Sequence, residues 1–438
     1  MSSAADIVVV GSGAGGAVAA RELARVPGVS VTIVEAGAGF HPFVGDRERF
    51  AAFRNSGLFI DERMITALIP TMRVVRASDG LRLVRGVTTG GTTTLTTGSA
   101  VRRDAGLRRL GLDLGPEFAR LERELGVTSD HRGRWRESTH ALWDACAKVG
   151  LRPAPMPKAI DLTRCRRCGR CVLGCEAGAK WDARTMVREA VSSGATLLTG
   201  LRVQRLVVDD PRGRRAEGLV VRRGRRSLTL AADGIVVAAG GLGTPAILSR
   251  SGIAVRNRLA VDPVLCVAAP WPDADQHREL PMPFSVSGDG FMVAPYFDHL
   301  SFFFDRRWRL PGGSIASLMV KLADEEVGDV DSRAVRKGLT ARDRRRLREA
   351  VASCAEVFAA AGVPRRELFL GLPNAGHPGG TLPLDPSSIG ALHDARLPDN
   401  VYVADASLLP QSLGAPPSLT IMALATRVAR VVAERFAV

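Results

Sequence analysis

The stretch that most restricts the fold is "DIVVVGSGAGGAVAARELA", residues 6–24. Its apolar run "DIVVV" predicts a strand of a parallel sheet, buried on both faces. "AGGAVAARELARV" has helical period and good helix formers, and "VSVTIVEAG" predicts the next strand. Between strand and helix, Gly11, Gly13 and Gly16 stand at G-x-G-x-x-G spacing, with Ser12, Ala14 and Gly15 interleaved. The first glycine permits a tight turn, the second lets backbone approach a pyrophosphate, and the third lets helix pack on strand. The helix N-terminus then faces the phosphates with its positive dipole end. Glu35 lies 19 residues beyond Gly16, where a carboxylate can accept from ribose hydroxyls. An acid there argues against a 2′-phosphate, so FAD or NAD is expected rather than NADP.

The rest of the chain reads as α/β. Residues 40–75 carry no single pattern, and residues 85–103, "RGVTTGGTTTLTTGSAVRR", are rich in Thr and Gly. Two helices are expected within 116–150 and one around "DARTMVREAVSSG". Residues 196–240 alternate strands and turns, a small antiparallel sheet that returns to the parallel one. Residues 260–325 are strand-rich, with the aromatic run "FSVSGDGFMVAPYFDHLSFFFDRRW", and a long helix is expected at about 340–362. The final "PPSLTIMALATRVARVVAERF" predicts a helix with prolines at its start.

Charge adds less than it first suggests. The formal net charge is +15, from 60 basic against 45 acidic residues, but only five of the basic residues are Lys. The Arg-rich stretches "DPRGRRAEGLVVRRGRRS" and "TARDRRRLREA" read as a hairpin turn and a solvated helix face. A compositional bias explains them better than nucleic-acid binding. No apolar run approaches the length of a membrane span, and the first residues show no export signal, so a cytoplasmic location is the expectation.

Four ordered segments resemble the glucose–methanol–choline (GMC) oxidoreductase family: the N-terminal fingerprint, "GGTTTLTTG" (90–98), "GIVVAAGGLGTPAILSRSG" (234–252), and residues 376–436. The resemblance implies a discontinuous Rossmann-like FAD-binding domain with a smaller α+β substrate domain. It gives an FAD-binding domain at 1–105, 195–262 and 370–438, a helical cysteine-bearing insert at 106–194, and a substrate-binding domain at 263–369. By resemblance, His377 is the catalytic base and takes the hydroxyl proton while hydride passes to flavin N5. Gly90, Gly91, Thr92 and Thr96 match the loop beside the flavin. Asp405 and Ala406 match a turn at the ribityl and pyrophosphate, and Val203 the residue whose backbone meets the adenine. Pro417 and Ser418 open the helix whose positive end can sit under the flavin.

Two positions depart from the family pattern. Ala415, Pro416 and Pro417 stand where members commonly carry Asn or His as the second polar group, and Thr96 replaces an Asn or His. Another donor from the middle region is therefore expected, with His299, Tyr296 and Lys180 as candidates.

Cys165, Cys168, Cys171 and Cys175 stand at C-x2-C-x2-C-x3-C spacing, that of a bacterial ferredoxin run. Three readings stay open: a [4Fe–4S] cluster, a zinc site, or reduced packing residues. A lone cluster needs Cys175 to fold back, or Cys146, Cys266 or Cys354 to complete the set.

The expected activity is oxidation of an alcohol or similar CH–X donor with FAD, by a dehydrogenase more than an oxidase. The substrate is a small, hydrophobic molecule, and a protein or quinone accepts the electrons. The alternatives are a flavin-dependent C=C reductase or desaturase, and an electron-transfer flavoprotein without small substrate.

Overall fold

The computed structural model describes residues 5–45, 65–77, 80–208, 214–331 and 334–437. The unpatterned segment's residues 46–64, and residues 210–213 of the first Arg-rich stretch, lie outside the described residues.

The predicted opening is present. Strand Ala5–Val10 lies between Val29–Val34 and Gly234–Val237 in a five-stranded parallel sheet. Thr196–Leu198 and Val401–Val403 form its edges. Continuous Val and Ile runs suit this position because helices cover the sheet. Helix Ala14–Leu23 packs against the C-terminal helix Ser418–Phe436 and against Arg184–Ser192. The apolar faces of Arg202–Val207 and Gly218–Arg223, two strands of the small antiparallel sheet, join the same core through Val203, Leu206, Leu219 and Val221. The Arg-rich stretch closes a hairpin at Gly224, whose φ of +59° suits a residue without Cβ.

The second sheet is larger and mostly antiparallel. Its centre is Val264–Pro270 paired with Ile315–Leu322, flanked by Phe291–Pro295 and Phe284–Gly288. Strands Met72–Arg76 and Arg82–Gly86 also join it, through Asn374–Ala375, and Ala154–Pro155 pairs at the far edge. The sheet thus draws on four stretches of chain rather than on 263–369 alone. Pairing between distant strands, which local pattern does not encode, sets this membership. One apolar cluster gathers Trp135, just before helix Glu137–Lys148, and Leu142 and Cys146 within it with Cys354 and Phe358 from the long helix Ala341–Ala360. That long helix opens on a capping box between Thr340 and Asp343.

A buried ion pair holds the seam between the sheets. Lys337 Nζ lies 2.7 Å from Asp324 Oδ2, and both side chains are fully buried. Asp324 also accepts from the backbone N–H groups of Val261 and Asp262 and from the Ser412 hydroxyl. It therefore ties three distant segments at one carboxylate. Removing one partner of such a pair strands the other charge. Lys337→Met should lower unfolding stability by about 3–5 kcal/mol, measured by denaturant melts. A loss below about 1 kcal/mol would show that the pair does not hold the seam.

Candidate active site

The glycine turn is built by contact rather than by flexibility alone. A Cβ on Gly11, where φ is +96°, would lie 2.4 Å from the Ala238 carbonyl oxygen. One on Gly15 would lie 1.7 Å from that of Ala404, and one on Gly16 2.0 Å from that of Gly11. Gly13 differs: its Cβ would meet nothing nearer than Gly91 Cα at 4.0 Å. The space over Gly13 is open, and it is where the expected pyrophosphate passes.

Around that space the predicted residues converge. Glu35 is buried, and burial raises its carboxyl above the usual range. Its Oε2 accepts from Ser12 N (3.1 Å) and Ser12 Oγ (2.6 Å), and its Oε1 from Gly37 N (2.8 Å). Gly90 N donates to Ser12 Oγ at 3.1 Å, so the fingerprint and the Gly–Gly loop are joined. The loop's Gly91–Leu95 forms a 3₁₀ turn, not a strand. Leu201 N, two residues from Val203, bonds the Glu35 carbonyl at 3.0 Å. Asp405 directs its carboxylate to Gly240 N and Ser407 N, each at 2.8 Å, and to the Thr244 hydroxyl. It fixes the turn through backbone. Ala406 accepts from Gly380 N at 3.0 Å, which positions the His377 loop. An open diphosphate path, two helix N-termini and an acid at the ribose position fit a flavin dinucleotide.

Beyond the Gly–Gly loop lies a cavity of about 190 Å³. His377, Thr92, Thr96, Pro416 and Ser418 line it, while Pro417 caps the helix beneath. Most of the remaining wall is apolar, including Phe43, Met72, Met282, Leu300, Phe303 and Phe304. Tyr296 and His299 reach this cavity, as does Asp298, whose carboxyl burial pushes up to about 6. Lys180 does not line it. Its Nζ donates instead to the Thr93 and Thr94 carbonyls, at 2.8 and 3.0 Å.

Sequence reading missed the partners of His377. Its Nδ1 lies 3.2 Å from Lys321 Nζ and 3.3 Å from Asp262 Oδ2. Burial, then the Lys321 ammonium, lowers the imidazole to about 4, so it is neutral at ordinary pH. Burial pushes Asp262 up, but its hydrogen bond to His377, the Lys321 ammonium and the Ser412 hydroxyl outweigh this and leave it below the usual range. Asp262 Oδ1 accepts from Ser412 Oγ (2.5 Å) and Gly414 N (3.0 Å). The available signal was Lys321 itself, the one charged residue in the buried strand "IASLMVKL".

All four clustered cysteines line one small cavity, with Lys180, Leu280 and Pro281. Cys175 folds back to it, whereas Cys146, Cys266 and Cys354 lie in apolar cores elsewhere. Among the described residues, no three His, Cys, Asp or Glu side chains converge on a single metal ion. His299 Nε2 sits 3.1 Å from the Gly169 carbonyl, so this loop abuts the larger cavity. No helix of the described residues is long and apolar enough to cross a membrane.

Family models described as GMC oxidoreductase match residues 5–266 and 332–425. An uncharacterised GMC-type oxidoreductase of Mycobacterium tuberculosis (strain ATCC 25618 / H37Rv) is 29% identical, over 97% of this chain and 75% of that protein. A long-chain-alcohol oxidase of Arabidopsis thaliana is 24% identical, over 98% of this chain and 66% of its own length. The crystal structure of pyridoxine 4-oxidase from Mesorbium loti superposes with a TM-score of 0.66. It shares 19% identity and covers 97% of this chain and 98% of that one.

Because Gly13 alone of these fingerprint glycines faces open space, Gly13→Val should keep the thermal midpoint near that of wild-type apoprotein yet bind no flavin. Flavin absorbance of the purified variant checks this, and full flavin content would move the pyrophosphate elsewhere.

Proposed function

The chain belongs to the GMC oxidoreductase family, and from that premise we propose that it oxidises a hydroxyl-bearing, largely apolar small molecule. Bound FAD supplies the hydride acceptor. His377 takes the hydroxyl proton. The observation that carries this reading is a neutral imidazole in the wall of an apolar cavity, with its Nδ1 held from behind. A base must have a free lone pair at working pH, and a ring held near 4 has one. The rival C=C reduction asks the same residue to donate a proton, which a ring of that acidity rarely carries at neutral pH. An electron-transfer flavoprotein would have no need of the cavity. The apolar wall favours a hydrophobic alcohol.

His377→Ala should retain flavin and slow its anaerobic reduction by alcohol by roughly 10²–10⁴. In the wild type, the rate should fall only as pH drops toward about 4, where the imidazole gains its proton, not near the ordinary histidine value. Unchanged reduction in the variant would remove His377 from the chemistry. Bleaching by an alcohol panel supports the reading; reoxidation by enones, or response to protein donors alone, supports a rival.

We also propose a dehydrogenase whose electrons leave through a [4Fe–4S] cluster held by Cys165, Cys168, Cys171 and Cys175, to a protein or quinone acceptor. Two buried lysines support this. Among the described residues, Lys158 Nζ hydrogen-bonds to Thr97 O (3.2 Å), Ser99 Oγ (2.9 Å) and Pro281 O (2.6 Å). Among the same residues, Lys180 Nζ hydrogen-bonds to the two threonine carbonyls. Among the described residues neither ammonium forms an ion pair within 4 Å; the cysteines are the acidic groups that act on Lys158, and Lys180 feels Cys171 and Cys175 together with Asp182, a carboxylate already paired with Arg184. Buried charges need a counter-charge. Free thiols cannot supply it, since burial pushes Cys171 up to about 12. Four iron-bound thiolates can. A cluster also takes one thiolate per iron, around a group, which suits ligands that do not meet at one point.

Anaerobically purified protein should contain iron and acid-labile sulfide in similar amounts, and Cys168→Ser should lose both while keeping flavin. Flavin-replete protein that takes up neither, even after anaerobic reconstitution, would leave the cysteines as packing residues.

A further inference from the structure

The His377 site contains a conflict that its immediate geometry does not resolve. One ring nitrogen, Nδ1, faces two partners: Lys321 Nζ at 3.2 Å and Asp262 Oδ2 at 3.3 Å. As an N–H it serves the carboxylate and faces the ammonium. As a lone pair it serves the ammonium and faces the carboxylate. It cannot do both.

The surroundings favour the carboxylate. Asp262 Oδ1 already accepts from Ser412 Oγ and Gly414 N. Oδ2 has His377 as its one hydrogen-bond partner among the described residues. A buried carboxylate oxygen needs a donor, and the ring N–H is the donor available. The lone pair then sits on Nε2, where a base needs it. That choice leaves Lys321 without an acceptor. Among the described residues, its hydrogen bonding is confined to His377 Nδ1 and it forms no ion pair within 4 Å. An ammonium has three donors, and Lys321 lines the cavity shared with His377. Its donors require an acceptor in that cavity.

We propose that Lys321 is the second polar group of the active site, donating to the substrate hydroxyl oxygen while His377 Nε2 takes that hydroxyl's proton. Asp262 is a positioning residue that holds the ring. The inference rests on the alcohol-oxidation reading. In the step, the O–H bond breaks and an N–H bond forms on His377. The carbon loses hydride to the cofactor, and the oxygen's electron pair completes the C=O bond. The substrate is oxidised by two electrons and the flavin reduced by two. Negative charge grows on oxygen as the proton leaves, and an ammonium in a water-poor cavity stabilises it there. This fills the place that Pro416 leaves empty.

The charges behind the site already balance. Lys321 and Lys337 offset Asp262 and Asp324, with Ser412 bridging the two carboxylates. Two other polar groups on the cavity wall have partners of their own. Asp298 caps its own helix through Leu300 N and bonds the Ser301 hydroxyl. His299 bonds the Gly169 carbonyl.

The test is anaerobic stopped-flow reduction of the holoenzyme by alcohol, for Lys321→Met and Lys321→Gln, across pH. Met should keep flavin and reduce roughly 10²–10³ times more slowly, the usual loss for one such donor. Gln, a donor without charge, should recover part of that rate. In both, the acid limb should move to higher pH, because a like charge beside the imidazole has gone. The ionisable groups around His377 are Lys321 and Asp262, with Asp324 and Cys266 behind them and Tyr296 and Asp298 on the cavity wall. A limb set by Asp298 would lie near 6 and stay unmoved. Wild-type rates with an unmoved limb, in whichever variant folds, would overturn the proposal. If no alcohol reduces the wild type, the alcohol reading fails instead. Lys321 is then judged by nuclear magnetic resonance titration of His377, whose pKa must rise in Lys321→Gln.

Discussion

No side chain fits between the glycine turn and the strand ends it touches. Gly11 rests on the carbonyl of Ala238 and Gly15 on that of Ala404, residues that directly follow two strands of the parallel sheet. Three segments, separated by more than 200 and then more than 160 positions, are therefore held at backbone contact. The open cradle over Gly13 exists because its neighbours are closed so tightly. Helix Gly240–Arg250 repeats the device one layer out, where a Cβ on Gly241 would lie 1.8 Å from the Pro378 carbonyl oxygen, beside His377. The glycine turn and the His377 loop are thus spaced by peptide groups, not by adjustable side chains.

The sequence disclosed this framework well and the charged seam poorly. The fingerprint, the Gly–Gly loop, the Asp405 turn and His377 are local patterns, each with a shape that its residues dictate. Glu35 was legible because its distance from Gly16 is set by one helix and one strand. Lys321, Asp262 and Asp324 were not legible. Each is ordinary alone, and their meaning arises from strand pairing between Val264–Pro270 and Ile315–Leu322. The same non-local pairing drew Met72–Arg76 and Arg82–Gly86 into the second sheet. Lys180 shows the opposite error. Its position suggested a cavity donor, but its ammonium is taken by the carbonyls of the Thr-rich loop.

Lysine is scarce in this chain, and its placement is selective. Of the five, Lys158, Lys180, Lys321 and Lys337 are buried. Arginine supplies nearly all the positive charge of the surface. An ammonium is compact and gives up its proton when burial demands it; a guanidinium does neither. Burial lowers Lys158 to about 7.

The order of strands in the parallel sheet has a consequence during synthesis. Gly234–Val237 pairs on one side with Ala5–Val10, made long before it, and on the other with Val401–Val403, made long after. Helix Ala14–Leu23 likewise waits for Ser418–Phe436 to cover it. While the ribosome adds the intervening residues, one strand edge and one helix face stay unpaired. Such contacts between distant positions fold slowly and leave apolar surface exposed meanwhile. The glycine turn, which Gly15 closes against the Ala404 carbonyl, cannot be completed until that residue has been made.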